Sequence, residues 1–248
     1  MAFDRALTGS SRPASIRALV AGIRHDLFYS LLHRPIDGLE DLGDPTDSCN
    51  WTVLTRGLGP DSVVYSAGIG RDISFEHAIA DRFGPKIHLL DPSPTGMETM
   101  ELPEHQRPEF EYHQLALAGY DGELELAPPP NPAEGSWVSR DRDPSEPSAT
   151  GTPIRVPCET VGSLMKRLGH QHIDLLKIDI EGAEYGVLDS LLKDGTPVRQ
   201  IAVEFHNGVL AGIPRSLTIR MLGRLFTRGY RIIHKGGSNH TLLRKEDL

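Results

Sequence analysis

The spacing of apolar positions changes character along the chain. Ile16, Leu19, Val20, Ile23 and Leu27 recur at helical intervals and stop before Pro35, which predicts an amphipathic helix. From residue 61 short β-rich runs alternate with helical ones. SVVYSA (62–67), ISFEHAIADRFG (73–84, closed by a Gly) and KIHLLD (86–91) predict a βαβ unit. FEYHQLAL (110–117) reads as one strand, and GELELA (122–127) alternates cleanly after the turn GYDG. Val161, Leu164, Met165 and Leu168 then mark a helix closed by Gly169, followed by the strand IDLLKIDI (173–180). A helix carrying Val187, Leu188, Leu191 and Leu192 runs to Gly195, and RQIAVEFH (199–206) is a further strand. Ser216 is expected to cap a helix ending at Gly229, and YRIIHK and HTLLRK flank Gly236, Gly237 and Ser238 as an antiparallel hairpin.

This order gives an α/β fold, Rossmann-like and doubly wound, with a mostly parallel sheet, helices on both faces and a C-terminal antiparallel hairpin. Residues 1–12 are expected to be a flexible tail and 13–58 an N-terminal helical segment that forms a cap, a lid or a homo-oligomer contact. Residues 59–248 form the α/β domain. Within it, the loop at 128–155 is rich in proline, and from Pro128 to Pro153 nearly empty of apolar residues except Trp137 and Val138, so it reads as a lid or as disorder.

Composition narrows the partners. A net charge of −8 disfavours a nucleic-acid partner, and no apolar stretch approaches the ~18 residues of a membrane span. Cys49 and Cys158 stand far apart without a CxxC spacing, and ALVAGI is interrupted by Arg24, His25 and Asp26. Both observations suit a cytoplasmic protein acting on a small-molecule acceptor.

In such sheets ligands sit beyond the carboxyl end of the first strand, where Ser66, Ala67, Gly68, Ile69 and Gly70 stand. Asp91 ends the second strand 21 positions after Gly70, the place from which a carboxylate accepts hydrogen bonds from a ribose diol. The candidates are a nicotinamide dinucleotide and S-adenosylmethionine. The third glycine of a dinucleotide fingerprint falls on Ile73, which argues for S-adenosylmethionine, and the closing hairpin suits the seven-stranded sheet of methyltransferases. Three acids, Asp179, Glu181 and Glu184, mark the strand-to-helix changeover in LLKIDIEGAEYGVL (175–188). Helix-dipole capping accounts for Glu184, but not for Asp179 inside the strand.

IDLLKIDIEGAEYGVLDSLL resembles the hallmark D-x-x-K-x-D-x-E-G-x-E-x-x-V-L segment of the FkbM-type methyltransferases, a branch of the class I S-adenosylmethionine-dependent enzymes. LLDPSP, LALAGYDGELEL and VEFH resemble further segments of that family. The resemblance spans about residues 60 to 245. It implies that Gly68 and Gly70 border the cofactor's methionine part, that Asp91 and Pro92 hold the ribose turn, that Leu115 and Ala116 lie near the adenine, and that Asp179 and Glu181 face the transfer site. Where the family carries an acid at the end of strand one this chain has Ser66, and the last glycine of that motif falls on Asp72, a candidate replacement carboxylate.

The expected activity is O-methylation of a hydroxyl on a sugar or natural-product metabolite. Glu204 and His206 are candidate bases and Lys177 a supporting residue. Magnesium held by Asp179 and Glu204 is a possible but unfavoured addition. The rival readings are a nucleotide-dependent oxidoreductase and a non-catalytic binding module. His77, His88, His113, His170 and His172 show no i, i+4 ligand pairing and read as surface or hydrogen-bonded side chains.

Overall fold

A computed structural model describes residues 27–46, 50–129, 135–139, 152–207 and 213–248. They fall into two units, Met1–His33 and Arg34–Leu248. In the first, residues 27–32 are helical; the rest of the expected amphipathic helix and the expected tail at 1–12 lie outside the described residues.

The second unit begins with two antiparallel strands, β1 (Leu39–Leu42) and β2 (Trp51–Leu54). Then come β3 (Val63–Ala67), α1 (Ser74–Phe83), β4 (Lys86–Leu90), α2 (Pro94–Met100) and β5 (Phe110–His113). A second group follows: β6 (Ala116–Leu117), β7 (Gly122–Ala127), β8 (Val138–Ser139) and β9 (Ile154–Glu159). The chain ends with α3 (Val161–Leu168), β10 (Ile173–Ile178), α4 (Glu184–Asp194), β11 (Val198–Glu204), α5 (Arg215–Thr227), β12 (Tyr230–Gly236) and β13 (Asn239–Arg244).

Among the described residues the main sheet has seven strands in the order β12-β13-β11-β10-β3-β4-β5 and is mixed. Five neighbours, β11 to β5, run parallel, while β13 is antiparallel to both β11 and β12. From β3 the chain winds outward to β5, then returns to β10 on the other side of β3. Strand order therefore reverses between β3 and β10, and a crevice opens beyond their carboxyl ends.

Alternation assigns the two faces. Val64, Ile87, Leu89, Leu175 and Ala202 pack with Ile73, Phe75, Ile79 and Ala80 of the α1 region and with Trp51 and Val53 in one core cluster. Tyr65, on the opposite face, meets His170 just after α3. Helices α1, α3 and α4 end where glycine takes the left-handed conformation at 84, 169 and 195, as the sequence suggests.

Four expectations change. The segment 13–58 is not helical throughout: residues 39–42 and 51–54 are strands, too short to declare a period. They are held by Gln200, whose side chain accepts from the Leu54 N–H (2.7 Å) and donates to the Leu54 carbonyl (3.1 Å). FEYHQLAL is broken, because the Leu115 N–H bonds back to the His113 carbonyl at 2.8 Å. The chain turns there, and β6 joins a separate four-stranded sheet ordered β6-β9-β7-β8. Ser216 lies inside the first turn of α5, and Pro214 occupies the capping position with extended backbone. Finally, α2 begins unannounced where Ser93 Oγ accepts from the Gly96 N–H at 3.0 Å.

Most of the expected lid, residues 130–134 and 140–151, lies outside the described residues. Of the described part, β8 pairs with β7, and Trp137 packs on the small cluster formed by Ala116, Leu124, Leu126 and Val156. Cys158 is buried, its thiol donating to the Tyr120 carbonyl at 3.6 Å, and Cys49 lies outside the described residues. No described helix is long and apolar enough to cross a membrane.

Candidate functional site

At the reversal point of the sheet lies a cleft of about 510 Å³. Its floor is the Gly68–Asp72 turn after β3. One wall is Leu90, Asp91, Pro92 and Ser93, and the other is Lys177, Asp179, Ile180, Glu181 and Ala183, with Glu204 and His206 behind. Ala116, Leu117, Leu124, Leu126 and Trp137 supply an apolar side from the second sheet.

The turn is built by close backbone approach. Gly68 has φ 79°, and a Cβ there would overlap the Asp179 carbonyl oxygen, so only glycine lets the end of β3 meet the end of β10. The Asp91 carboxylate closes the turn from the side. Its Oδ2 accepts from the Ile69 N–H (3.2 Å) and the Gly70 N–H (3.1 Å), and its Oδ1 from the Ser93 N–H (2.8 Å). These three donors take three of about four acceptor positions on a carboxylate, leaving room for one ligand hydroxyl rather than two. Gly96 makes space for this acid, since a Cβ there would stand 2.5 Å from the Asp91 carboxyl carbon.

Ser66, Ala67 and Leu115 do not line the cleft. Ser66 points into the sheet face covered by α1, fully buried, where its hydroxyl donates to Glu76. Glu76 is itself buried and lies 3.4 Å from Lys177 Nζ, which donates to the Gly68 carbonyl at 2.7 Å. A buried carboxylate beside the end of β3 thus comes from helix α1, outside the cleft lining, and it braces the glycine turn through Lys177. Asp72 lines the cleft, but its Oδ1 accepts from the Ser74 N–H at 2.6 Å, which ties it to the start of α1.

The acids of the hallmark segment gather around His206. Glu184, wholly buried in the first turn of α4, accepts from His206 Nδ1 (2.6 Å) and from the Gly182 N–H (2.7 Å). Dipole capping alone therefore understates its part. His206 Nε2 lies 3.4 Å from Glu181 and 3.8 Å from Asp179. Glu181 reaches this position with φ 49°, a left-handed backbone that costs a non-glycine residue on the order of 1 kcal/mol and is met most often at functional sites. Glu204 lines the cleft and accepts from the Ser238 hydroxyl at 2.7 Å.

Electrostatics reverse the expected proton roles. Burial opposes charge on His206, but the hydrogen bond to Glu184 and the charges of Glu184, Glu181 and Asp179 outweigh it, raising its pKa to about 9. Near neutrality His206 is an imidazolium and cannot accept a proton. Burial instead pushes Asp179 up to about 7, against the pull of Lys177, so it titrates where a general base is most effective. Asp179, Glu181 and His206 also stand close enough to share a divalent ion, whereas Glu204 is outside that group. Such an ion would have to displace the His206 proton.

Sequence reasoning missed Arg71, Ser93, Leu117, Leu124, Leu126 and Glu76. The alternation of GELELA could have placed Leu124 and Leu126 on one face; nothing in sequence order brings Glu76 beneath Ser66.

Residues 64–232 match the family described as "Methyltransferase FkbM domain". The chain is 28% identical over 146 residues to the human protein "Probable methyltransferase-like protein 24", covering 58% of this chain and 32% of that protein. The rat protein of the same name is 27% identical over 197 residues, covering 75% and 46% respectively. The chain therefore spans a third to a half of the length of these curated relatives. Among solved structures, the fibrillarin pre-rRNA processing protein of Methanococcus jannaschii aligns with a TM-score of 0.43 and 11% identity, over 75% of this chain and 68% of that one.

Proposed function

Because the chain belongs to the FkbM methyltransferase family, we propose that it is an S-adenosylmethionine-dependent O-methyltransferase acting on a hydroxyl of a small molecule such as a sugar or a natural-product metabolite. The observation that carries this reading is that Asp91 and Asp179 face one cleft from either side of the Gly68–Gly70 turn.

The residues present fit an adenosyl sulfonium. The cleft volume lies within the ~300–1,000 Å³ of ordinary small-molecule sites. Asp91 keeps acceptor capacity for a ribose hydroxyl. The side formed by Leu117, Leu124, Leu126 and Trp137 is apolar, as a purine requires. When bound, the cofactor supplies an electrophilic methyl group on sulfur.

The protein's own contribution is alignment and proton removal. Ionised Asp179 takes the proton from the acceptor hydroxyl. His206 stays protonated between Glu184, Glu181 and Asp179, holding three carboxylates in place without competing for that proton. Arg71 and Glu204 line the cleft wall, where they would orient a polar acceptor.

Thermal unfolding with added ligands gives the first test. S-adenosylmethionine and its demethylated product should raise Tm, and NAD should not. The reverse pattern would replace this reading with that of an oxidoreductase. Transfer of labelled methyl to hydroxylated acceptors, abolished by Asp179→Asn, completes the case. Full transfer by that variant would remove Asp179 from its role.

A further inference from the structure

A second group of ligating side chains gathers at the edge of the main sheet, outside the cleft lining. Strands β4 and β5 are parallel and in register, with His88 opposite Glu111, and alternation returns His113 to the same face two residues later. His88 Nδ1 and His113 Nε2 stand 3.1 Å apart. The two oxygens of Glu111 lie 3.8 Å from the former and 3.6 Å from the latter. Around a tetrahedral zinc ion with bonds of about 2.0–2.2 Å, ligand atoms are separated by roughly 3.3–3.6 Å, so one ion can reach all three with shifts of a few tenths of an ångström.

We propose that His88, Glu111 and His113 form a binding site for a divalent transition metal of the zinc type. Two imidazoles and one carboxylate are a zinc donor set that leaves one position open to solvent or a further ligand. Glu111 is half exposed and His113 partly so, which gives the ion an entry path, while His88 is buried. Burial also keeps both rings in the neutral, ligating form, pulling His88 down to about 4 and His113 below its ordinary value. The surrounding rings fix the geometry: Tyr65 and His170 pack edge-on against His88 with centroids 5.1 and 5.0 Å away, and Tyr65 is itself hydrogen-bonded to His170 Nδ1 at 2.8 Å.

The ion would clip β4 to β5 beside Asp91. The Asp91 N–H donates to the His113 carbonyl at 3.3 Å, and the Tyr112 hydroxyl donates to the Asp91 carbonyl at 2.5 Å. The proposal does not depend on what the cleft binds.

The test uses the full chain, stripped with a chelator and titrated with Co2+ as a spectroscopic stand-in. One equivalent should bind with the strong visible absorption of a tetrahedral site and be displaced by Zn2+. His113→Gln and Glu111→Gln, both at the solvent side and so compatible with folding, should each weaken binding by at least about tenfold. Asp179→Asn should leave the affinity unchanged. Absence of binding at micromolar Co2+ overturns the proposal, as does binding that survives His113→Gln and Glu111→Gln or that disappears in Asp179→Asn. Matching circular dichroism of the metal-free variants shows that a lost site is not a lost fold.

Discussion

Two histidine–carboxylate groups in this protein use the same residue types and reach opposite protonation states. Around His206 stand Glu184, Glu181 and Asp179, and their combined charge overcomes burial, so the ring is held as a cation. Around His88 stand one half-exposed carboxylate and two further imidazoles, burial wins, and the ring is held neutral. The difference is one of charge count inside a low-dielectric shell rather than of residue identity. A cationic histidine is suited to ordering acids around a reacting hydroxyl. A neutral pair of histidines is suited to a metal.

The comparison can be broken most severely at Asp179. Asp179→Asn should lower methyl transfer by about 10²–10⁴-fold while leaving cofactor affinity close to that of the parent protein, measured by turnover and by calorimetry. A loss below tenfold would move the base elsewhere. Next, Glu184→Gln removes the buried partner of His206 and should cost about 3 kcal/mol of unfolding free energy by denaturant titration. The His206 imidazole resonances should then titrate well below about 9. No such change would mean that Glu181 and Asp179 suffice to hold the charge.

The pH dependence of stability sharpens the contrast through its sign. His206 has its folded pKa raised from 6.5 to about 9. Its contribution is fully present below pH 6.5 and is lost as pH rises through about 9. His88 has its folded pKa lowered from 6.5 to about 4, so the folded state loses stability as pH falls from 6.5 towards 4. Melting curves across this range should show Glu184→Gln flattening the alkaline limb and His88→Asn flattening the acid limb. The smallest effect belongs to Glu111→Gln without metal, within about 0.5 kcal/mol of the parent protein, since its side chain is half exposed.

Legibility in the sequence followed distance along the chain. The parallel strands, the helix stops at Gly84, Gly169 and Gly195, and the acid-bearing end of β10 depend on neighbours a few residues away, and periodicity exposes them. Glu76 answering for Ser66 depends on α1 folding back over β3. The pairing of His88 with His113 depends on register between two strands 25 positions apart, which no i, i+4 search can find. The proton affinity of His206 is hidden in the sequence for a related reason: it is raised by three carboxylates 22 to 27 positions away.

Gln200 carries a practical consequence. By bonding both polar groups of Leu54, this amide does the job of an absent neighbouring strand, across 146 positions of sequence. A fragment trimmed to the family match at 64–232 would strand that amide in an apolar interior and delete β13, which separates β11 from β12. The smallest piece that folds cooperatively is therefore larger than the piece by which kinship is detected, and expression boundaries belong outside residues 39 and 244.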